Sequence, residues 1–194
     1  MKNINKKIEN RTIGDQITFN NEWPKPKRRK IIRVMFHNVA GFSASDNSYE
    51  SHLYNQDLIS YQSDITCLTE LNLNLNNNKM KNSIFNMFKF TDRHAKVQLA
   101  SQPENLKSAR DYYPGGNLIA CQGTIAGRIT RKGSDEIGRW AWMELRCKAM
   151  KNIIVISAYR SNGNTSGDIT IASQEMRSHM KNKKNTLTLY GIIS

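Results

Sequence analysis

Two apolar runs on either side of a helix-like segment constrain the fold of this chain more than any other feature. Residues 31–39 and 64–71 are largely apolar and rich in β-branched side chains, which predicts two buried strands. Residues 49–61, between them, are compatible with a helix. A strand, a helix and a second strand in this order predict a right-handed crossover, in which the strands are parallel. The chain is therefore expected to be an α/β protein.

A polar side chain closes each of these two strands. Asn38 opens the segment Asn38-Val39-Ala40-Gly41, and Glu70 ends the apolar residues of the second run. Because open α/β sheets place their ligands at the carboxyl ends of parallel strands, the amide and the carboxylate are expected at one edge. Such groups suit a divalent cation and a phosphate oxygen. Two alternatives remain open, an exposed strand end for Glu70 and an Asx turn for Asn38.

The charge balance points to a polyanionic partner. The chain has 29 Lys and Arg against 16 Asp and Glu, a formal net charge of +13. Nucleic acid is the first candidate, because Lys and Arg neutralise its phosphates, and solubility alone is the alternative. Residues 1–30 are polar and end in a basic run, which predicts a flexible basic leader before a domain at 31–194.

The cysteines and the hydropathy pattern indicate an intracellular protein. Cys67, Cys121 and Cys147 are far apart and form no Cys-x-x-Cys motif, which favours free thiols, buried for the first two, in a reducing compartment. No apolar signal segment opens the chain, and no apolar run is long enough to span a bilayer. We therefore expect a nuclear or cytoplasmic protein without membrane association.

The second half of the chain has a different pattern. Short β-rich runs separated by glycine-containing turns predict one antiparallel meander over residues 117–121, 124–131, 140–147 and 152–159. A further strand is predicted at 186–193. The segment Pro114-Gly115-Gly116 before the first run predicts a turn with positive φ.

Four residues of this half are candidates for binding nucleic acid. Arg139 and Arg160 are candidate phosphate ligands beside predicted strands. Trp140 is a candidate for stacking on a base, with core packing as the alternative. Tyr159 closes the last run of the meander, where its phenol and the neighbouring guanidinium would form a phosphate clamp.

Five segments in order resemble the motifs of the endonuclease/exonuclease/phosphatase superfamily, and they are most similar to the endonuclease domains of non-LTR retrotransposons. They are Asn38–Gly41, Asp64–Glu70, Pro114–Gly116, Gly138–Trp140 and Ser157–Arg160. The resemblance implies a DNase I-like fold, a four-layer α/β sandwich. It also implies Mg²⁺-dependent hydrolysis of DNA phosphodiesters, with Mn²⁺ as an alternative ion. Glu70 would bind the metal, and Asn38 and Tyr159 would position the scissile phosphate.

Two motifs that the resemblance calls for are absent. The superfamily has a Gly-Asp-x-Asn and a Ser-Asp-His motif, and near the position of the first the chain reads Leu189–Ser194. Ile192 and Ser194 would then replace its Asp and Asn. The domain is expected to be incomplete at its C-terminus and weak or inactive as a hydrolase. The alternatives are a non-catalytic basic nucleic-acid-binding module and a phosphatase of the same fold.

Overall fold

The computed structural model describes residues 26–27, 31–42, 49–101, 113, 115–147, 152–159 and 186–193. Its elements are β1 (Val34–Asn38), α1 (Tyr49–Tyr61), β2 (Ile65–Thr69), α2 (Asn78–Thr91), β3 (Lys96–Ala100), β4 (Asn117–Cys121), α3 (Gly123–Ala126), β5 (Ile129–Ser134), β6 (Trp140–Leu145), β7 (Asn152–Tyr159) and β8 (Thr186–Ile193). Of the predicted elements, α1, β4, β7 and β8 have the predicted bounds. No helix within the described ranges is long and apolar enough to cross a membrane.

The first sheet contains the predicted crossover. Its strand order is β1-β2-β4-β3, and β1 pairs with β2 in parallel from Val34 opposite Ile65 to Asn38 opposite Thr69. β4 runs antiparallel between β2 and β3. The prediction that β4 belongs to the meander is therefore wrong. Every residue of β4 is buried, as is typical of a strand in the interior of a sheet.

The second sheet contains the rest of the predicted meander. Its order is β5-β6-β7-β8, with antiparallel pairing from β5 to β7 and parallel pairing between β7 and β8. The prediction of one strand over 124–131 is wrong, because α3 occupies its first residues. Gly123, at a φ of +61°, turns the chain out of β4, and its N–H donates to the Asp92 carboxylate at 2.6 Å. The strand resumes only at Ile129.

The two sheets pack face to face and enclose the core. Ile65, Cys67 and Ile119 of the first sheet pack with Met143 and Val155 of the second. The helices α1 and α2 cover the other face of the first sheet through a second cluster that includes Leu58, Ile84, Phe88, Leu68 and Leu118. Helices and two sheets account for three of the four expected layers. Residues 160–185, between β7 and β8, lie outside the described part.

Contacts with the domain begin before the predicted boundary at residue 30. The Lys27 N–H donates to Gln62 Oε1 at 3.0 Å, and its ammonium group pairs with the Asp64 carboxylate. The Arg33 N–H also donates to Asp64, at 2.8 Å. Asp64 is 9 % exposed, and a carboxylate so buried requires such partners. These contacts lie at the amino end of β2, and residues 1–25 and 28–30 lie outside the described part.

Two cysteines are buried free thiols, as predicted. Cys67 and Cys121 are fully buried between the sheets, and neither forms a disulfide. Burial raises the pKa of the Cys121 thiol to about 12, and it also raises the pKa of Cys67 well above its ordinary value. Cys147, after β6, is free and half-buried. Both buried thiols therefore stay protonated at neutral pH, and a protonated thiol is a poor nucleophile.

We expect the folded protein to react with a thiol reagent at one cysteine. Ellman's reagent at pH 8 should modify Cys147 first, with Cys67 and Cys121 modified only after unfolding in guanidinium chloride. A Cys147→Ser variant is the control and should show no rapid phase. Mass spectrometry of the labelled peptides identifies the site, and rapid native labelling of Cys67 or Cys121 would contradict the packing described.

Candidate functional site

The inner faces of the two sheets become polar at one end of the sandwich. Inward-facing positions along the strands hold apolar side chains, such as Cys67, Ile119 and Val155, through most of the core. Side chains alternate between the two faces of a strand, so the next inward positions lie two residues away from these apolar ones. They are Thr69 after Cys67, Asn117 before Ile119, and Ser157 and then Tyr159 after Val155. Asn38, which pairs with Thr69, is the inward position at the end of β1. A polar layer therefore closes this end of the core.

The register of β1 and β2 brings the first two predicted site residues to this end. Asn38 lies opposite Thr69, the residue before Glu70. The pairing continues past both strands, since the Val39 N–H donates to the Thr69 carbonyl at 3.1 Å and the Gly41 N–H to the Glu70 carbonyl at 2.8 Å. Asn38 and Glu70 are thus in adjoining turns joined by backbone hydrogen bonds.

The Asn38 side chain forms an Asx turn. Its Oδ1 accepts the Ala40 N–H at 2.9 Å, and Ala40 has a φ of +47°. The alternative that the sequence left open for Asn38 therefore occurs. Because Oδ1 is engaged, the amide is fixed with its NH₂ group as the end that remains to meet a ligand.

Glu70 occupies an uncommon backbone conformation. Its φ is +56°, a left-handed value that few glutamates adopt, and its side chain is half-buried. The hydrogen bond from Gly41 and a further one from the Leu71 N–H to the Gly116 carbonyl, at 3.3 Å, hold this turn on both sides. Strain of this kind persists only where the surroundings impose it, and it is concentrated at functional sites.

The predicted glycine turn supports Glu70 from the β4 side. Gly115 and Gly116 have φ values of +86° and +83°, which confirms the predicted positive φ. A Cβ atom on Gly116 would lie 3.3 Å from Leu75 Cδ1 and 3.5 Å from Leu71 Cβ. Glycine is therefore required here both for conformation and for space.

The second sheet brings Tyr159 and Arg139 to the same end. The Ser157 hydroxyl donates to the Leu68 carbonyl at 3.4 Å, which joins the end of β7 to the end of β2. The Tyr159 N–H donates to the Arg139 carbonyl at 3.0 Å. The Arg139 N–H in turn donates to the Asp135 carboxylate at 2.8 Å. Tyr159 and Arg139 are both half-buried, so their side chains reach the surface at this end.

The other two candidate nucleic-acid ligands are placed differently. Trp140 is 7 % exposed and packs with Trp142, Ile154 and Ile156. Its ring belongs to a core cluster and has no open face for a base. Trp140 therefore follows the alternative given for it, which was core packing. Arg160 lies outside the described residues.

No family model and no curated protein matches this sequence, but solved structures match the fold. An endonuclease/exonuclease/phosphatase family protein from Leptotrichia buccalis C-1013-b has a TM-score of 0.57 at 14 % identity, over 82 % of this chain and 66 % of that protein. The human Nocturnin catalytic domain with bound sulfate has a TM-score of 0.52 at 14 % identity, over 82 % and 62 %. An AP endonuclease from Archaeoglobus fulgidus has a TM-score of 0.51 at 14 % identity, over 84 % and 56 %.

The chain has the endonuclease/exonuclease/phosphatase fold. The DNase I-like α/β sandwich expected from the sequence is therefore confirmed. The chain spans between 56 % and 66 % of the length of these three solved proteins. At 14 % identity the likeness concerns the fold, and the residues of this chain must carry any argument about chemistry.

Two residues of the polar layer were missed by the sequence reasoning. Asn117 and Thr69 are fully buried cross-strand partners. Asn117 Nδ2 donates to the Gly138 carbonyl at 2.9 Å and so ties β4 to the turn that holds Arg139. Asn117 Oδ1 and Thr69 Oγ1 have no hydrogen-bond partner within the described part. The detectable signal was a polar residue at an inward position of an otherwise apolar strand.

The parallel pairing of β8 with β7 determines what lies beside Tyr159. Ile192 lies opposite Ala158 and Ile193 opposite Tyr159 in the backbone register. Ile192, which the family resemblance aligned with the missing Asp, therefore lies opposite Ala158 in this register. Among the described residues no cluster of three His, Cys, Asp or Glu could hold a metal ion.

We expect Asn117→Ala to destabilise the fold by about 2 kcal/mol, because it leaves the Gly138 carbonyl buried without its donor. The free energy of unfolding in urea measures the change. Asn86→Ala on the exposed face of α2 is the matched control, with an expected change within about 0.5 kcal/mol. Equal values for the two variants would show that the Asn117 hydrogen bond contributes nothing.

Proposed function

We propose that this chain is a Mg²⁺-dependent phosphodiester hydrolase that acts on nucleic acid, with DNA as the first candidate substrate. One observation carries the proposal: β1, β2 and β7 deliver Asn38, Glu70 and Tyr159 to the same polar end of the two inner faces. The fold, shared with an AP endonuclease, supports it. An endonuclease of the kind found in non-LTR retrotransposons is the finer form of this proposal, and it rests on the order of the motifs.

Glu70 is the residue proposed to hold the metal. Mg²⁺ keeps several of its waters and needs only one or two protein carboxylates beside the oxygens of a phosphate substrate. A single carboxylate, held half-buried at a strand end, meets the lower limit of that requirement. Mn²⁺ accepts the same oxygen donors. When bound, the ion supplies electrostatic stabilisation of the charge that develops on the phosphate.

Three other side chains are proposed to hold the nucleic acid. The Asx turn of Asn38 leaves its NH₂ group as a donor to a phosphate oxygen. The Tyr159 phenol donates a second hydrogen bond to the same phosphate. Arg139, whose backbone N–H donates to Asp135, is proposed to direct its guanidinium to a neighbouring phosphate as a bidentate contact. All three are donors, which suits an anion and orients the scissile bond toward Glu70.

The same arrangement implies slow turnover. β8 pairs with β7 with Ile193 opposite Tyr159 in the backbone register, and the sequence of β8 contains no Asp, Asn or His to orient or deprotonate a water. The loss of a group with such a role reduces a rate by roughly 10²–10⁴-fold. The phosphate would be bound and polarised while the nucleophile would depend on solvent for its orientation.

We expect slow nicking of supercoiled plasmid in Mg²⁺ that stops in EDTA and in Glu70→Gln, because that change removes the metal ligand's charge at constant shape. Asp57→Asn is the matched control, since it neutralises a carboxylate on α1, which packs on the far face of the first sheet. Agarose gels of open-circular product over time give the rates. Equal nicking by wild type and Glu70→Gln would rule out the proposed role of Glu70.

A non-catalytic nucleic-acid-binding module is the second candidate, favoured by the net charge of +13 and by a β8 sequence without Asp, Asn or His. In that case a fluorescent DNA duplex should bind with an affinity that falls steeply with salt and is unchanged in EDTA and in Glu70→Gln. Arg139→Ala should then reduce the slope of log K against log salt by about 1. Fluorescence anisotropy measures both quantities.

A further inference from the structure

We propose that Asn72 is a positioning residue that fixes the carboxylate of Glu70 for metal binding. The proposal rests on the proposed function, because it takes Glu70 as the metal ligand. Asn72 itself touches neither metal nor substrate in this account. It acts through the backbone of the turn that follows β2.

Asn72 is joined to Gly115 by two hydrogen bonds. Its N–H donates to the Gly115 carbonyl at 2.8 Å, and its side-chain Oδ1 accepts the Gly115 N–H, also at 2.8 Å. The two residues are 43 positions apart in the chain, so this pair joins the turn after β2 to the turn before β4. A backbone bond and a side-chain bond to one residue fix both the position and the rotation of Asn72.

Asn72 also lies between the two other turns of the site. A Cβ atom on Gly41 would come within 3.8 Å of Asn72 Nδ2. Gly41 closes the Asn38 turn and donates its N–H to the carbonyl of Glu70. The Asn72 side chain therefore lies at the junction of the segments that carry Asn38, Glu70 and the glycine turn.

The backbone conformation explains why these hydrogen bonds are needed here. Ala40, Glu70 and Asn72 have φ values of +47°, +56° and +54°, and the glycines at 41, 115 and 116 are also positive. Asn adopts this region more readily than most residues, whereas Glu does so rarely. Because Glu70 lies two residues before Asn72, release of the Asn72–Gly115 pair would let Glu70 return to an extended conformation. Its carboxylate would then leave the position that faces the phosphate.

A titration of Mn²⁺ alone with protein tests the role of Asn72 without any activity assay. The loss of the EPR signal of the free ion measures the amount bound. Asn72→Gly keeps a residue that tolerates positive φ but removes the side-chain acceptor. Gln62→Gly is the matched control, because Gln62 also has a positive φ, of +49°, and its side chain also accepts a backbone N–H, from Lys27. It lies at the opposite end of β2. Glu70→Gln gives the level without the ligand.

We expect Asn72→Gly to weaken Mn²⁺ binding by about tenfold, the size of effect seen when the partner that orients a metal ligand is removed. Gln62→Gly should bind Mn²⁺ with wild-type affinity, although its thermal midpoint should change about as much as that of Asn72→Gly. Faster hydrogen exchange of the Gly115 amide in Asn72→Gly should accompany the loss. Wild-type Mn²⁺ affinity in Asn72→Gly, with binding lost in Glu70→Gln, would overturn this inference alone. Wild-type protein that binds no Mn²⁺ would overturn it together with the proposed metal site.

Discussion

The backbone pairing of β1, β2 and β4, continued through the turns beyond the strands, is the constraint on which the rest of the site depends. In most sheets the hydrogen-bonded ladder ends with the strands. Here Val39, Gly41 and Leu71 extend it across adjoining turns. The left-handed conformations of Ala40, Glu70 and Asn72 in these turns are unfavourable in isolation, and the buried sheet below supplies the surroundings that impose them. The position of Glu70 is therefore a property of the sheet and not of Glu70 itself.

The packing of the two sheets determines which polar groups accompany that carboxylate. The apolar inner faces bury Cys67, Ile119 and Val155, and the favourable transfer of this surface from water holds the sheets together. At the polar end the same packing places Asn117 out of water, where its amide must find a partner. It finds the Gly138 carbonyl, so a desolvated group becomes the connection between the sheet of Glu70 and the turn of Arg139.

The sequence predicted local elements better than their assembly. Apolar runs marked β4 and β7, and a helix-compatible segment marked α1, with the observed bounds, because these patterns and the turn residues around them are local signals. The assignment of β4 to the meander failed, since a run of apolar residues does not encode which strands it will lie between. Trp140 shows the same limit, because its burial depends on Ile154 and Ile156 of a neighbouring strand. The Asn72–Gly115 pair could not be predicted from the sequence for the same reason, because it joins two turns that only the sheet brings together.

The turns around Glu70 and the end of β8 belong to different sheets of the sandwich. The turns around Asn38, Glu70 and Gly115 are held by the first sheet, whose hydrogen bonds do not involve β8. β8 pairs with β7 in the second sheet, with Ile193 opposite Tyr159 in the backbone register, and its sequence contains no Asp, Asn or His. The proposed function therefore assigns cation and phosphate binding to the turns of the first sheet and the orientation of water to both sheets. If Glu70 holds the metal as proposed, metal binding reports on the first sheet alone, whereas hydrolysis depends on both sheets.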